Sequence, residues 1–201
     1  EGLDTTLKVF LLTLILSIPL GILVAVGRLS KIKPLAAATQ FYIWVMRGTP
    51  LLLQIVFIFF GLPILGITFD RFPAAMIAFV LNYAAYFGEI FRGGIESIDK
   101  GQYDGAKVLG FSPTQTFMRI ILPQMIKNVL PSVANEVITL VKDTALVYVV
   151  GLGELLRAGK IASNRDASLV PLVMVGVIYL MLTAILTTVF KKLEQRYSYY
   201  Q

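Results

Sequence analysis

Charged and amide side chains inside long apolar runs are the groups of this 201-residue chain best placed to do chemistry. A charge at membrane depth is costly, so it is retained beside a partner or at a site that uses it. Two stripes recur at helical spacing. Asn82, Tyr86, Glu89, Gly93 and Glu96 follow one another at three- and four-residue steps, with Arg92 one turn from Glu89. Asn135, Thr139, Lys142 and Asp143 share a second face, with Glu136 at its edge. Glu154 stands further on, with Arg157 as its one obvious neighbour of opposite charge. Each stripe occupies one side of a helix and belongs toward a bundle interior rather than lipid. Arg92 can offer a two-pronged donor to a carboxylate, and Glu89, Asp143 and Glu154 can hold ammonium or guanidinium groups. Plain ion pairs, Glu89 with Arg92 and Lys142 with Asp143, would instead fix packing or lock two subunits together. The residues alone leave both readings open.

Other chemistries are excluded more firmly. The chain has no Cys and no His. Thiol redox chemistry, disulfides, Cys or His metal sites and histidine acid–base catalysis are therefore absent. There is no G-x-x-x-x-G-K-[ST] phosphate loop, so the chain cannot cradle a nucleotide that way. The H-E-x-x-H and G-x-S-x-G patterns are also missing, which argues against a membrane-embedded enzyme.

The elements that must position the stripes are apolar helices. The composition is 57% hydrophobic and 15% charged, against about 25% charged in ordinary soluble domains. Apolar segments cover about 6–26, 41–64, 73–95, 130–152 and 169–190, each of membrane-spanning length. The first is too long for a secretory signal and lacks a basic start and a small-residue cleavage site. The chain opens on Glu1 rather than Met, so native residues are expected before it. Arg47-Gly-Thr-Pro50 interrupts the second segment, placing its embedded part from about Leu51 onward. Phe57, Phe59 and Phe60 spread around that helix and read as packing or lipid contacts. Residues 154–166 read as a charged connection. The net charge of +6 resides mostly in residues flanking the apolar segments, so these are membrane anchors and no nucleic-acid partner is expected. Arg28, Lys31, Lys33, Arg47, Lys100, Lys107, Arg119, Lys127, Lys191, Lys192 and Arg196 fall on one side. The positive-inside rule then puts the N-terminus outside and the C-terminus inside. Trp44, Tyr197, Tyr199 and Tyr200 suit the cytoplasmic interface.

A polar stretch, about 97–123, separates the third and fourth segments. Asp99 is placed to cap a helix over residues 101–109, and Gly110 suits the left-handed position that ends one. Ser112, Pro113 and Gln115 form the start signal of a second helix, which Pro123 is expected to break. Tyr103, Ala106, Leu109 and Gly110 fall on one side of this elbow. It would either rest on lipid headgroups or dock a soluble partner.

This stretch resembles the cytoplasmic motif of permease subunits of ATP-binding-cassette importers, E-A-A-x-x-x-G, nine further residues, then I-x-L-P. Here it reads Asp104-Gly105-Ala106, Gly110, then Ile120, Leu122 and Pro123. Asp for Glu and Gly for Ala depart from the pattern. Arg47-Gly-Thr-Pro-Leu-Leu-Leu-Gln54, Glu89-Ile-Phe-Arg-Gly-Gly-Ile95, Leu122-Pro-Gln124 and Leu140-Val-Lys-Asp-Thr-Ala-Leu146 resemble the polar amino-acid uptake branch, that of histidine, arginine and glutamine permeases. The resemblance covers about 7–196.

It implies an all-α, five-span membrane domain over 1–201 with the fold of type I importers. It further implies a bacterial cell-membrane location, a dimer with a second permease subunit (a homodimer is expected), two copies of a separate ATPase, and an extracellular or periplasmic amino-acid-binding protein. ATP and Mg would sit on the ATPase, with no cofactor on this chain, which would not itself be catalytic. Tyr103, Asp104, Gly105, Ala106, Leu109, Gly110, Phe111 and Ser112 would form the coupling helix that meets the ATPase. Asn82, Tyr86, Glu89, Arg92, Asn135, Thr139, Lys142, Asp143 and Glu154 would line the substrate path. An unpaired acid at Glu154 would favour a basic amino acid: arginine, lysine or histidine. An ion-coupled secondary transporter is the alternative, weakened by the lack of an inverted repeat.

Overall fold

The computed structural model describes residues 1–197, all helix and connecting turns; Tyr199 and Tyr200 lie outside the described residues. Nine α-helices follow one another among the described residues: α1 (Gly2–Arg28), α2 (Lys33–Gly48), α3 (Leu51–Val56), α4 (Arg71–Glu96), α5 (Lys100–Val108), α6 (Pro113–Thr116), α7 (Leu122–Asp143), α8 (Leu155–Arg165) and α9 (Val170–Tyr197). By length and hydropathy α1, α4 and α9 can each cross a membrane. A fourth crossing arises if α2 and the helical run from Leu51 to Leu65 are one bent span. The expected fourth segment begins earlier than its apolar stretch, at Leu122. Its helix, α7, carries Lys127, Glu136, Lys142 and Asp143 and does not meet the same apolar measure. Its far third is not α-helix but a 3-10 stretch, Thr144–Val150. The expected connection over 154–166 is itself a helix, α8.

Small residues let the helices approach. The most extensive contact is between α1 and α4. A Cβ added at Gly88 would lie 2.6 Å from Val24 Cγ1, and one at Gly21 would lie 2.7 Å from Phe87 Cβ. Gly94 plays the same part between α4 and α7, where a Cβ would lie 2.1 Å from Val129 Cγ1. Val9, Phe10, Ile55, Phe79, Tyr83, Phe87, Val137, Leu140 and Val147 fill the core where α1, α3, α4, α7 and the 3-10 stretch meet. By contrast α9 buries Val175 alone among its residues and leaves an apolar face open, as suits lipid or another chain.

The decisive irregularity is the break after α2. Thr49 precedes a proline and is extended, with φ −120° and ψ 144°, as the proline ring requires. The axes on either side differ by 104°. The break lies against the middle of α4: Asn82 Nδ2 donates to the Met46 carbonyl (3.0 Å) and to Gln54 Oε1 (3.1 Å). Gln54 Nε2 in turn donates to the carbonyls of Met46 (3.0 Å) and Thr49 (3.2 Å) and to Thr49 Oγ1 (2.8 Å). Thr49 Oγ1 donates to the Val45 carbonyl at 2.8 Å. These groups satisfy carbonyls that a continuous helix would have bonded itself. Residues 33–48 belong to the bundle too, because Ile43 is buried and Tyr42 Oη donates to the Leu81 carbonyl. The Arg47-Gly-Thr-Pro50 sequence thus marks a corner between two helices that both pack on the bundle.

Gly94→Ala is expected to destabilise the protein by roughly 1–3 kcal/mol through overpacking. Gly93→Ala, where no atom lies within 4 Å of the new Cβ, is expected to leave the detergent melting temperature unchanged or slightly raised; equal losses would refute the close approach at Gly94. Asn82→Leu is expected to lower stability by about 1–3 kcal/mol and to speed hydrogen exchange at residues 47–52. Unaltered exchange there would show that the break holds its shape without Asn82.

Candidate functional site at the helix break

The corner opens on a cavity of about 600 Å³ lined by residues 47–52 from the break, Asn82, Tyr83 and Tyr86 from α4, and Glu136, Thr139, Asp143 and Leu146 from α7 and beyond. That volume is in the range that holds a small polar ligand. The cavity wall carries one cation, Arg47, and two carboxylates, Glu136 and Asp143. Tyr83 is buried and donates from Oη to Asp143 Oδ2 at 2.8 Å, which fixes one carboxylate oxygen and leaves the other available. The Arg47 guanidinium carbon lies 5.2 Å above the Tyr86 ring centroid, a cation–π distance. Discontinuous helices placing backbone ends and charges in one mid-bundle cavity are a recurrent way to build a transport site.

Of the nine residues expected along the path, Asn82, Tyr86, Thr139 and Asp143 are brought together here. Asn82 is buried, and its amide nitrogen is committed to the break. Glu89 and Arg92 are held in a local cluster on α4: Arg92 Nε donates to Glu89 Oε2 at 2.9 Å, and its Nη1 also binds Glu96. Asn135 and Lys142 are exposed and do not line the cavity, although they share a side of α7 with Thr139 and Asp143. Glu154 is not the unpartnered acid expected from sequence. It is 0% exposed and caps α8, accepting from the backbone N–H groups of Leu156 (2.5 Å) and Arg157 (2.6 Å), with Tyr179 Oη at 3.5 Å. Its carboxylate is used up in joining α8 to α9. The sequence reading missed Arg47 and Tyr83 and left Glu136 at the margin. The available signal was a charge beside Gly and Pro inside an apolar segment, which marks a broken helix.

The elbow forms much as its capping residues require. Asp99 accepts from Gly101 N at 2.7 Å. Gly110 has φ 78°, and Phe111 N donates to the Ala106 carbonyl at 3.0 Å. Ser112 and Gln115 make a reciprocal capping box at 3.0 and 3.3 Å. Pro123 does not break the helix; it directly follows a π-helical turn at Phe117–Ile121 and stands in the first turn of α7, a π-bulge of the kind that accommodates irregular helix positions. Ile98, Ile121, Met125 and Val129 anchor the elbow to α4 and α7. Ala106 is 2% exposed and belongs to the inside of the elbow, whereas Val108 (87%) and Leu109 (73%) project from it. Tyr103, Asp104, Gly105, Gly110 and Phe111–Ser112 surround that tip in the chain, and of these Tyr103 is 38% exposed.

Residues 17–199 match the family model described as the binding-protein-dependent transport system inner membrane component. The chain is 42% identical over 198 residues to the arginine transport system permease protein ArtQ of Bacillus subtilis (strain 168), covering 98% of this chain and 90% of that one. It is 35% identical over 198 residues to the putative glutamine transport system permease protein GlnP of Rickettsia conorii (strain ATCC VR-613 / Malish 7), covering 98% and 91%. A solved structure described as an amino acid ABC transporter with histidines superposes with a TM-score of 0.89 at 35% identity, covering 97% of this chain and 92% of that one. With a helix bundle, a broken helix beside a charged cavity and a capped polar elbow all accounted for, the chain belongs to the family of inner membrane components of binding-protein-dependent transport systems.

Proposed function

We propose that this protein is the permease subunit of an ATP-binding-cassette importer and that it carries a basic amino acid through the cavity at the helix break. The observation that carries the reading is the charge count of that cavity, one guanidinium facing two carboxylates. A basic amino acid presents the complementary set: one carboxylate for Arg47, and an α-ammonium and a cationic side chain for Asp143 and Glu136. A neutral amino acid such as glutamine would leave one of these carboxylates without a substrate cation, and the charge nearby, Lys142 acting on Asp143, stands outside the cavity lining, a less favourable arrangement away from water. The relative named for arginine transport supports the same class. Thr139 and Tyr86 supply hydroxyls beside the charges.

In this reading the chain crosses the membrane five times, α7 being the polar span, with the N-terminus outside and the C-terminus inside. It pairs with a second permease subunit, most simply a copy of itself, so that the exposed Asn135 and Lys142 face protein or the pathway and not lipid. An extracellular or periplasmic binding protein delivers the substrate. Two separate ATPase subunits bind ATP and Mg, and this chain catalyses nothing itself. The exposed apolar tip at Val108 and Leu109 is the part of the elbow that seats in an ATPase groove. The cap at Gly110 keeps that tip rigid enough for closure of the ATPase pair to move the bundle as a body.

Reconstituted with its ATPase and binding protein in liposomes, the complex is expected to take up labelled arginine only with ATP; uptake without ATP would refute the assignment. Asp143→Asn is expected to raise the half-saturating arginine concentration about 10- to 100-fold, the equivalent of one charge-assisted hydrogen bond, with a smaller effect on glutamine. Equal losses for both amino acids would remove Asp143 from cation recognition. Gly110→Ala forces a left-handed conformation that costs roughly 1–2 kcal/mol. It is expected to lower arginine imported per ATP hydrolysed while leaving the melting temperature of the bundle near wild type; unchanged coupling would make the elbow a passive loop.

A further inference from the structure

Arg47 lies on the boundary between two cavities. The larger is the substrate cavity just described. The smaller, about 360 Å³, is lined by Arg28, Gln40, Ile43, Trp44, Arg47, Gly48 and Glu89. Arg47 and Gly48 are the two residues common to both linings, and Gly48 contributes no side chain to the wall between them. Each cavity holds a carboxylate that interacts electrostatically with Arg47: Glu136 in the larger and Glu89 in the smaller. The guanidinium is bonded to neither. Among the described residues it has the Tyr86 ring face beneath it, and none of its five donors is taken up by a hydrogen bond or ion pair with those two acids. Glu89 meanwhile is held by Arg92. The residue stands at the last turn of α2, directly before the Gly48-Thr49-Pro50 corner, where a side chain can swing without unwinding the middle of a helix.

An arginine between two cavities, drawn toward a carboxylate in each and clamped by neither, has two places to go. We propose that Arg47 is the inner gate of the permease: on the Glu136 side it closes the substrate cavity, and by moving to the Glu89 side it opens that cavity into the smaller one and carries the substrate's carboxylate toward release. This deepens the reading of the cavity as the amino-acid site and rests on it. The planar fork of arginine suits the task because it can hold a carboxylate while keeping one face on an aromatic ring. Tyr86 is the rail on which it turns, and Arg28, also in the wall of the smaller cavity, is a second cation that a departing carboxylate would meet.

Because the chain has no Cys, Leu52→Cys places a single thiol on the wall of the larger cavity. In the reconstituted complex, a membrane-impermeant maleimide applied from the cytoplasmic side is expected to label this thiol slowly. Adding Arg47→Met, similar in length but uncharged, is expected to raise the labelling rate about tenfold, as loss of a closing interaction worth about 1.4 kcal/mol would. Labelling that stays at the slow rate overturns the gate. So does an equal rise in Asp143→Asn, which would signal general loosening. If Asp143→Asn alters neither arginine uptake nor labelling while Arg47→Met still raises labelling, the substrate assignment of the cavity fails and the gate stands. A second variant covers the case in which Arg47→Met does not assemble: Glu89→Gln is expected to lower maximal uptake about tenfold without raising the half-saturating concentration, since a slowed release step lies after binding. A rise in the half-saturating concentration with maximal uptake intact overturns the proposal.

Discussion

The structure depends on three side chains that hold a helix broken. Asn82 and Gln54 both donate to the Met46 carbonyl, and Gln54 also donates to Thr49. A proline-induced corner in the middle of an apolar bundle leaves carbonyls with no helical partner, and lipid offers none. Two amides supply what the helix lacks. Since Asn82 belongs to α4, the same bonds that satisfy the corner also pin it to the central helix. The cavity exists because the corner cannot pack flat, and its charges are tolerable because the corner gives them space and polar company.

Around that corner the bundle is built for close approach on one side and openness on another. Glycines at positions 21, 88 and 94 bring α1, α4 and α7 to contact distances that any Cβ would violate. The aromatic residues Phe79, Tyr83, Phe87 and Phe91 form a column of rings along α4, with centroids 6.0–6.4 Å apart. Tyr83 is part of this column and also the donor to Asp143. Packing and recognition therefore share a residue: the orientation of the Asp143 carboxylate is set by a ring that the core itself immobilises. At the other end, α8 is tied in by the buried Glu154 cap and by Leu155 N donating to Thr6 Oγ1 at 3.2 Å, so the acid that looked free in sequence is a structural anchor of the bundle's rim.

Much of the elbow was legible before any coordinates. Asp99, Gly110, Ser112 and Gln115 act through contacts within one to three residues, and local hydrogen-bond chemistry does not wait for tertiary structure. The charged site was legible in part. Periodicity found the face of α4 that holds Asn82 and Tyr86 and the face of α7 that holds Thr139 and Asp143. It could not separate them from Glu89, Arg92, Asn135 and Lys142, because helical spacing assigns residues to a face and not to a depth or a neighbour. Ala106 was grouped with Leu109 for the same reason, though one is enclosed by the elbow and the other projects from it.

By itself the sequence determined the class of the protein, a helical membrane chain without Cys, His or a phosphate loop, the elbow's caps, and the two polar stripes, since composition, capping and periodicity are properties of a chain read in order. Only the tertiary structure decided that the Arg47-Gly-Thr-Pro50 corner lies against the middle of α4, that Arg47 meets Glu136 and Asp143 across a cavity, and that the capped start of α8 is buried against α1, with Leu155 bonded to Thr6. Those facts depend on distances between residues 28 to 149 positions apart in the chain, and such distances are fixed by which small residues let which helices close together, a choice that no local pattern encodes.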